Sequence, residues 1–199
     1  MTININNEAT NKKKDFIENF KKFYKQYVES SSSRENLDNC VCLARRTAES
    51  YCRYVILDSN KTDEEKKELL YKTEKERHTL GALKDNILKK EDSVIKFTEE
   101  EKKHLRTELE LVLQKGNHGC HDNDKGSATT FRDLEKVKPI ILDLADYILD
   151  SEFTELLIVK MNDEIKKENQ NKVSKDKVVM KHRGKGDNIA GNKIVGGDS

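Results

Sequence analysis

Apolar residues recur every three to four positions in several separate stretches of this chain, a spacing typical of amphipathic helices. The serine-rich segment "ESSSSREN" separates the two clearest stretches. The pattern therefore predicts two long helices joined by a short polar connection. Their apolar positions are Phe16, Ile17, Phe20, Phe23, Tyr24, Tyr27 and Val28, and then Leu37, Val41, Ala44, Ala48, Tyr51, Cys52, Val55 and Ile56.

The rest of the pattern predicts a charged helix over 63–77, a short helix in "HTLGALKDNIL" and two more long helices. Thr98 and Glu101 have the spacing of a capping box, which marks the start of one long helix. Gly116 is predicted to end that helix, because glycine readily adopts the left-handed cap conformation. The last helix is predicted to begin near Thr130 and to continue to about residue 159. Pro139 should kink it or begin a fresh helix.

These elements predict an all-α fold, an up-down bundle of four to five helices over residues 14–159. Residues 1–13 are polar and are predicted to be a flexible N-terminus. Residues 160–177 contain few apolar side chains, so they are interpreted as a polar linker. Residues 178–199 are rich in glycine, with Val and Ile between the glycines, which predicts an extended, possible β-forming interaction tail.

Composition narrows the class of protein only modestly. The chain has 199 residues, 38% of them charged, and a net charge of +1, so no global charge favours nucleic acid or a lipid surface. It has no apolar run long enough for a membrane span and no N-terminal apolar segment of a signal peptide. The four cysteines lack the spacing of a zinc finger or a disulfide framework, and we interpret them as reduced thiols of a cytoplasmic protein.

The segment "QKGNHGCHDND" (114–124) concentrates the candidate chemistry. One interpretation is a metal site, but structural zinc sites usually pair two ligand clusters and no second cluster is present in the sequence. Another is a polar turn between two helices. The glycines and lysine of "GKGDN" lack the phosphate-loop spacing, and no cofactor is predicted. The potential metal ligands of the segment are His118, Cys120, His121, Asp122 and Asp124.

A third interpretation comes from a resemblance that covers residues 37–150. The stretch "ARRTAE" (44–49) is similar to the "ARxALE"-like motif of a bacterial group of HEPN domains, the higher eukaryotes and prokaryotes nucleotide-binding superfamily. Gly116, Asn117 and His121 match the "GNxxxH" element of that group. The resemblance implies an up-down helical bundle that often forms a homodimer. It also implies a relation to metal-independent ribonucleases, whose active members carry an R-N-x-x-x-H motif.

The resemblance implies a catalytic site at Asn117 and His121, with Lys115 and His118 as additional candidates. RNA cleavage needs a general base and a general acid, and an imidazole with a pKa near neutrality can serve as either. A guanidinium would stabilise the charge on the phosphate in the transition state. However, Gly116 stands where the family has its catalytic arginine.

Two arginines of the predicted second helix, Arg45 and Arg46, are the nearest other cations and are candidate phosphate or RNA contacts. The alternative is that they are solvated or paired with glutamates. Because the catalytic arginine is missing, the sequence favours a non-catalytic module over a ribonuclease.

The C-terminal stretch "GKGDNIAGNKIVGGD" resembles the Gly-Asp-x-Ile-x-Gly-Asp-Lys-Ile tails of components of bacterial conflict and antiphage systems, often found beside NTPase partners. An extended Gly/Ile segment can add a strand to the sheet edge of a partner protein, whereas the alternative is a disordered terminus. We therefore expect an interaction or regulatory module that binds a partner protein, such as an NTPase, through this tail. A metal-independent endoribonuclease is the alternative. The predicted partner contacts are Asp187, Asn188, Ile189, Gly191, Lys193 and Ile194.

Overall fold

The computed structural model describes residues 5–30, 34–73, 76–89, 94–120 and 129–183. Within these ranges the chain forms seven α-helices, and its only β-type pairing is an isolated bridge between Tyr71 and Arg77. The prediction of an all-α fold is confirmed. The helices are α1 (Ile5–Glu29), α2 (Arg34–Asp58), α3 (Asp63–Leu70), α4 (Leu80–Ile87), α5 (Glu99–Cys120), α6 (Phe131–Leu149) and α7 (Ser151–Arg183).

Helices α1 and α2 form an antiparallel pair. The amide of Asn19 donates to the hydroxyl of Ser50 at 2.8 Å, and the thiol of Cys40 lies 3.9 Å from the carbonyl oxygen of Phe23. The later residue of α1, Phe23, thus contacts the earlier residue of α2, Cys40, which shows that the two helices run in opposite directions. Apolar burial between amphipathic helices is the main favourable contribution to such packing. The fully buried side chains include Phe16, Phe20 and Phe23 of α1 and Ala44, Ala48 and Cys52 of α2.

Helix α2 is the central element of the bundle, because it packs against α1, α3, α4, α5 and α6. Helix α5 also packs against α4 and α6. The predicted capping box begins α5: the backbone N–H of Thr98 donates to Glu101 at 2.7 Å, and that of Glu101 donates to the Thr98 hydroxyl at 3.3 Å. The prediction of this helix start is confirmed.

Helix α1 begins earlier than the sequence pattern predicted. It starts at Ile5 rather than near residue 14, so most of the predicted flexible N-terminus is helical. Once the apolar stripe has nucleated a helix, adding a polar residue to its end costs little. An ion pair between Lys12 and Asp15, at 2.7 Å and one turn apart, supports this extension.

The prediction that Gly116 ends its helix is wrong, because α5 continues to Cys120. No glycine among the described residues has a positive φ, so Gly116 does not adopt the left-handed cap conformation. As a result, residues 114–120 of the segment "QKGNHGCHDND" belong to α5.

The predicted continuous helix from Thr130 to about residue 159 is divided at Asp150. Asp150 has φ 66° and ψ 159°, a conformation that side-chain-bearing residues rarely adopt, so it ends α6. Its carboxylate accepts a hydrogen bond from the backbone N–H of Phe153 at 2.8 Å and so caps the start of α7. Pro139 lies inside α6 and does not begin a new helix.

Helix α7 continues through the predicted linker and into the first residues of the predicted extended tail. The segment 151–183 contains neither glycine nor proline and is rich in Lys and Glu, which favour helix even when few side chains are apolar. Contacts divide the chain into two compact units, Met1–Leu156 and Leu157–Ser199. In the described ranges, no helix is long and apolar enough to cross a membrane.

Candidate functional site

The candidate site residues of "QKGNHGCHDND" lie mostly at the end of α5. Lys115 and Asn117 are in its final turns and are half-buried, and the backbone of His118 continues the same helix. His121 lies outside the described residues, and so do all six predicted tail contacts between Asp187 and Ile194. The structure therefore tests the surroundings of Lys115, Gly116 and Asn117, and leaves His121 and the tail as predictions.

Lys115 forms an ion pair with Asp133 in the first turn of α6. The Nζ atom of Lys115 lies 2.7 Å from an Asp133 carboxylate oxygen, and the two side chains are only 24% and 16% exposed. An ion pair with this degree of burial is less screened by solvent than a surface pair. The cation next to the motif is thus engaged in joining α5 to α6.

Asp133 also caps α6. Its second carboxylate oxygen accepts hydrogen bonds from the backbone N–H and the hydroxyl of Thr130, at 2.9 and 2.8 Å, in a complete capping box. Burial alone would raise the pKa of Asp133, but the hydrogen bonds from Lys115 and Thr130 outweigh it and lower the pKa to about 2. The carboxylate is therefore ionised at neutral pH and holds the end of α5 against the start of α6.

Gly116 is buried where α5 packs against α2. A β-carbon placed at Gly116 would lie 2.6 Å from the Cβ of Arg45 and 3.0 Å from its Cδ. The Cβ of Arg45 is fixed to the backbone, so it cannot move without shifting the helix. The position where the HEPN resemblance would require a catalytic arginine therefore has no room for a side chain, and the aliphatic part of Arg45 occupies that space.

The two candidate phosphate contacts lie in different surroundings. Consecutive residues of a helix point about 100° apart, and Arg45 packs on Gly116 of α5 whereas Arg46 lines a polar cleft of about 390 Å³. Arg53, which lines the same cleft, donates to Glu49 at 2.7 Å and to the carbonyl of His78 at 2.8 Å, so it has a structural role. The structure does not bring Arg45 and Arg46 together at one site.

The described residues contain no group of three or more His, Cys, Asp or Glu side chains placed to hold a metal ion. Cys40 and Cys52 are buried free thiols, and burial raises the pKa of both, that of Cys40 to about 12. Cys42 is disulfide-bonded, so the prediction that all four cysteines are reduced is wrong for this residue. A disulfide is more typical of an oxidising compartment and removes one argument for a cytoplasmic location.

Comparison of the chain with protein-family models, with curated proteins and with solved structures finds no match. The fold alone defines the class of protein, which is an all-α helical bundle. A relation to HEPN domains therefore stays a prediction from the short sequence motifs around Arg45 and Gly116.

Asp133 is the residue of this region that the sequence pattern missed. The signal was present, because Thr130 and Asp133 have the spacing of a capping box. Its second role, as the partner of Lys115, depends on how α5 and α6 pack and has no local signature in the sequence. Asp133 thus both caps α6 and fixes Lys115.

We predict that Gly116→Ala destabilises the bundle although alanine has the higher helix propensity. The gain in propensity is about 1 kcal/mol, whereas the contact with the Cβ of Arg45 forces α2 and α5 apart, at a cost of about 1–3 kcal/mol. Gly81→Ala is the matched control, because its new β-carbon would meet only the flexible end of Leu113 at 3.4 Å. Thermal melts should show a lower Tm for Gly116→Ala and an unchanged or higher Tm for Gly81→Ala. Equal changes in both variants would contradict the close approach.

A second prediction concerns Asp133, whose pKa falls from 3.8 to about 2 on folding. A carboxylate whose pKa is lowered by folding stabilises the folded state at pH values above the pKa of the unfolded state. This contribution to the free energy of unfolding, about 1–2 kcal/mol, is lost as the pH falls from about 5 towards 2. Asp133→Asn and Lys115→Met should lower the free energy of unfolding at pH 7, and the Asp133→Asn deficit should vanish near pH 2.

The control for this prediction is Lys22→Met, which removes an exposed ion pair with Glu18 and should change stability little. Chemical denaturation at several pH values provides the measurement. An Asp133→Asn deficit of the same size at pH 7 and at pH 2 would show that the carboxylate's charge is not what joins α5 to α6.

Proposed function

We propose that this chain is a non-catalytic, HEPN-like interaction or regulatory module of a bacterial antiphage or toxin-type conflict system. In this proposal it binds a partner protein, such as an NTPase, through its C-terminal tail. The observation that carries the proposal is the packing at the end of α5. Gly116 has no room for the side chain that a ribonuclease would need there, and the adjacent Lys115 is paired with Asp133.

Helix α7 supplies further support for a role in binding. Phe153 and Leu156 lie one turn apart near its start and are 50% and 53% exposed. Large apolar side chains grouped on a surface commonly mark sites of protein–protein contact. They are candidates for contact with a second copy of the chain, in line with the homodimer that the resemblance implies.

One specific observation favours the second candidate function, a metal-independent endoribonuclease using His121 and Asn117. The side chain of Arg45 lies across Gly116, directly before Asn117 in the helix. In this version α2, rather than α5, would supply the guanidinium that stabilises charge on the scissile phosphate. The two candidate functions therefore differ in the role of Arg45, which is packing in the first and phosphate binding in the second.

The role of the tail is tested by comparing the full chain with a variant that ends at Arg183, the last residue of α7. A second variant, Ile189→Ser with Ile194→Ser, keeps the chain length. Both are used to capture proteins from cells of the source organism, and each captured protein is then purified and titrated. We expect a partner that binds the full chain and loses about tenfold or more in affinity with either variant, because buried apolar anchors dominate such interfaces. Thermal melts of the variants should match that of the full chain.

Two results would contradict this role of the tail. A partner that binds all three proteins equally would place the binding surface elsewhere. A marked drop in Tm on truncation would show that residues 184–199 contribute to the folded core.

The ribonuclease alternative is tested by incubating the full chain with mixed RNA in EDTA. The variants are His121→Ala and Arg45→Met, which keeps the aliphatic packing on Gly116, with Arg132→Met as an exposed-arginine control. We expect all four proteins to leave the RNA equally intact, because no guanidinium occupies position 116. Cleavage by the wild type and by Arg132→Met that is lost in the other two variants would favour the ribonuclease.

A further inference from the structure

A second cleft lies between α2, α5 and α6, away from the end of α5 that carries the motif. Its volume is about 610 Å³, which is within the range of pockets that hold small molecules, about 300–1,000 Å³. Every residue that lines it belongs to the unit Met1–Leu156. The residues that matter here are Tyr51, Phe97, His104, Glu108, Asp143 and Tyr147.

Three aromatic rings form one wall of this cleft. The ring of Tyr147 packs edge-on against Tyr51, with centroids 5.6 Å apart, and against Phe97, with centroids 5.1 Å apart. Tyr51 is almost fully buried and supports the wall, whereas Tyr147 is 49% exposed and is accessible to a ligand. The faces of aromatic rings attract cations and apolar groups, so this wall suits a ligand that combines the two.

The charged residues that line the cleft are mainly anionic. Four carboxylates and one lysine line it, so its charge is negative when His104 is neutral. Burial raises the pKa of Glu108 and the nearby Asp143 adds to the increase, while the side chain of His104, whose Nε2 lies 3.1 Å from a Glu108 carboxylate oxygen, partly offsets it. Burial also raises the pKa of Asp143. The ionised form of both carboxylates is therefore less favourable than that of a carboxylate in water, and a bound cation would stabilise it.

We infer that this cleft binds a small organic cation, a protonated amine or a guanidinium carried on an apolar or aromatic body. The charged head would contact Glu108 and Asp143, and the apolar body would pack against Tyr147 and Phe97. The negative charge of the lining disfavours phosphates and other anions. This inference does not depend on the proposed function, because the cleft shares no residue with the end of α5 or with the tail.

The test is a titration of the full chain with phenethylamine, which is a cation at neutral pH, and with 2-phenylethanol as its uncharged analogue. Calorimetry measures affinity, and NMR shifts of the His104 and Tyr147 rings report the place of binding. We expect the amine to bind at least about tenfold more tightly than the alcohol, because a hydrogen bond between charged groups is stronger than one to a neutral hydroxyl.

Glu108→Gln and Asp143→Asn should each weaken the amine by about five- to tenfold and leave the alcohol unchanged. Glu135→Gln, an exposed carboxylate of α6 outside the cleft, is the matched control and should bind the amine as the wild type does. Equal affinity for the amine and the alcohol, or NMR shifts that avoid His104 and Tyr147, would overturn the inference. The comparison of the two ligands on the wild-type chain holds even if a variant fails to fold.

Discussion

The close approach of α2 to α5 at Arg45 and Gly116 is the contact on which the arrangement of the candidate site depends. It requires that position 116 lacks a β-carbon, because even one methyl group would lie 2.6 Å from the Cβ of Arg45. Because α5 is helical through this point, the contact also sets the directions of the neighbouring side chains. Lys115 is thereby directed to Asp133 of α6, and Asn117 lies beyond the crossing.

This packing gives a physical reason for the absence of the arginine that the HEPN resemblance would require. A guanidinium at position 116 would have to displace α2, the helix that contacts most of the others. The same close approach places the aliphatic part of a different arginine, Arg45, over the vacant position. Gly116 and Arg45 thus serve the packing of these two helices.

Helical periodicity predicted the all-α fold and the apolar faces of the main helices, because burial of one face leaves a repeating signal in the sequence. The capping box at Thr98 was predicted for a different reason, because Thr98 and Glu101 are only three residues apart in the sequence. The ends of polar helices were less predictable. Residues 5–13 and 160–183 are helical with few apolar side chains, so periodicity underestimated α1 and α7.

Features that depend on packing between distant residues could not be predicted from the sequence. Gly116 is compatible with either a helix cap or a close approach of two helices, and only the position of Arg45 distinguishes them. Lys115 and Asp133 are 18 residues apart on different helices. The aromatic and anionic cleft likewise combines residues from α2, α5 and α6, none of which forms a local motif.

A double-mutant cycle at the crossing of α2 and α5 measures whether the contact between Arg45 and Gly116 sets the packing of these helices. Stability is measured for Gly116→Ala in three backgrounds: wild type, Arg45→Ala, which keeps the β-carbon, and Arg45→Gly, which removes it. We expect Gly116→Ala to remain destabilising with Arg45→Ala and to lose most of its cost with Arg45→Gly, a coupling of about 1 kcal/mol or more. The same cost of Gly116→Ala in all three backgrounds would contradict the claim that Arg45 and Gly116 set the packing of this site.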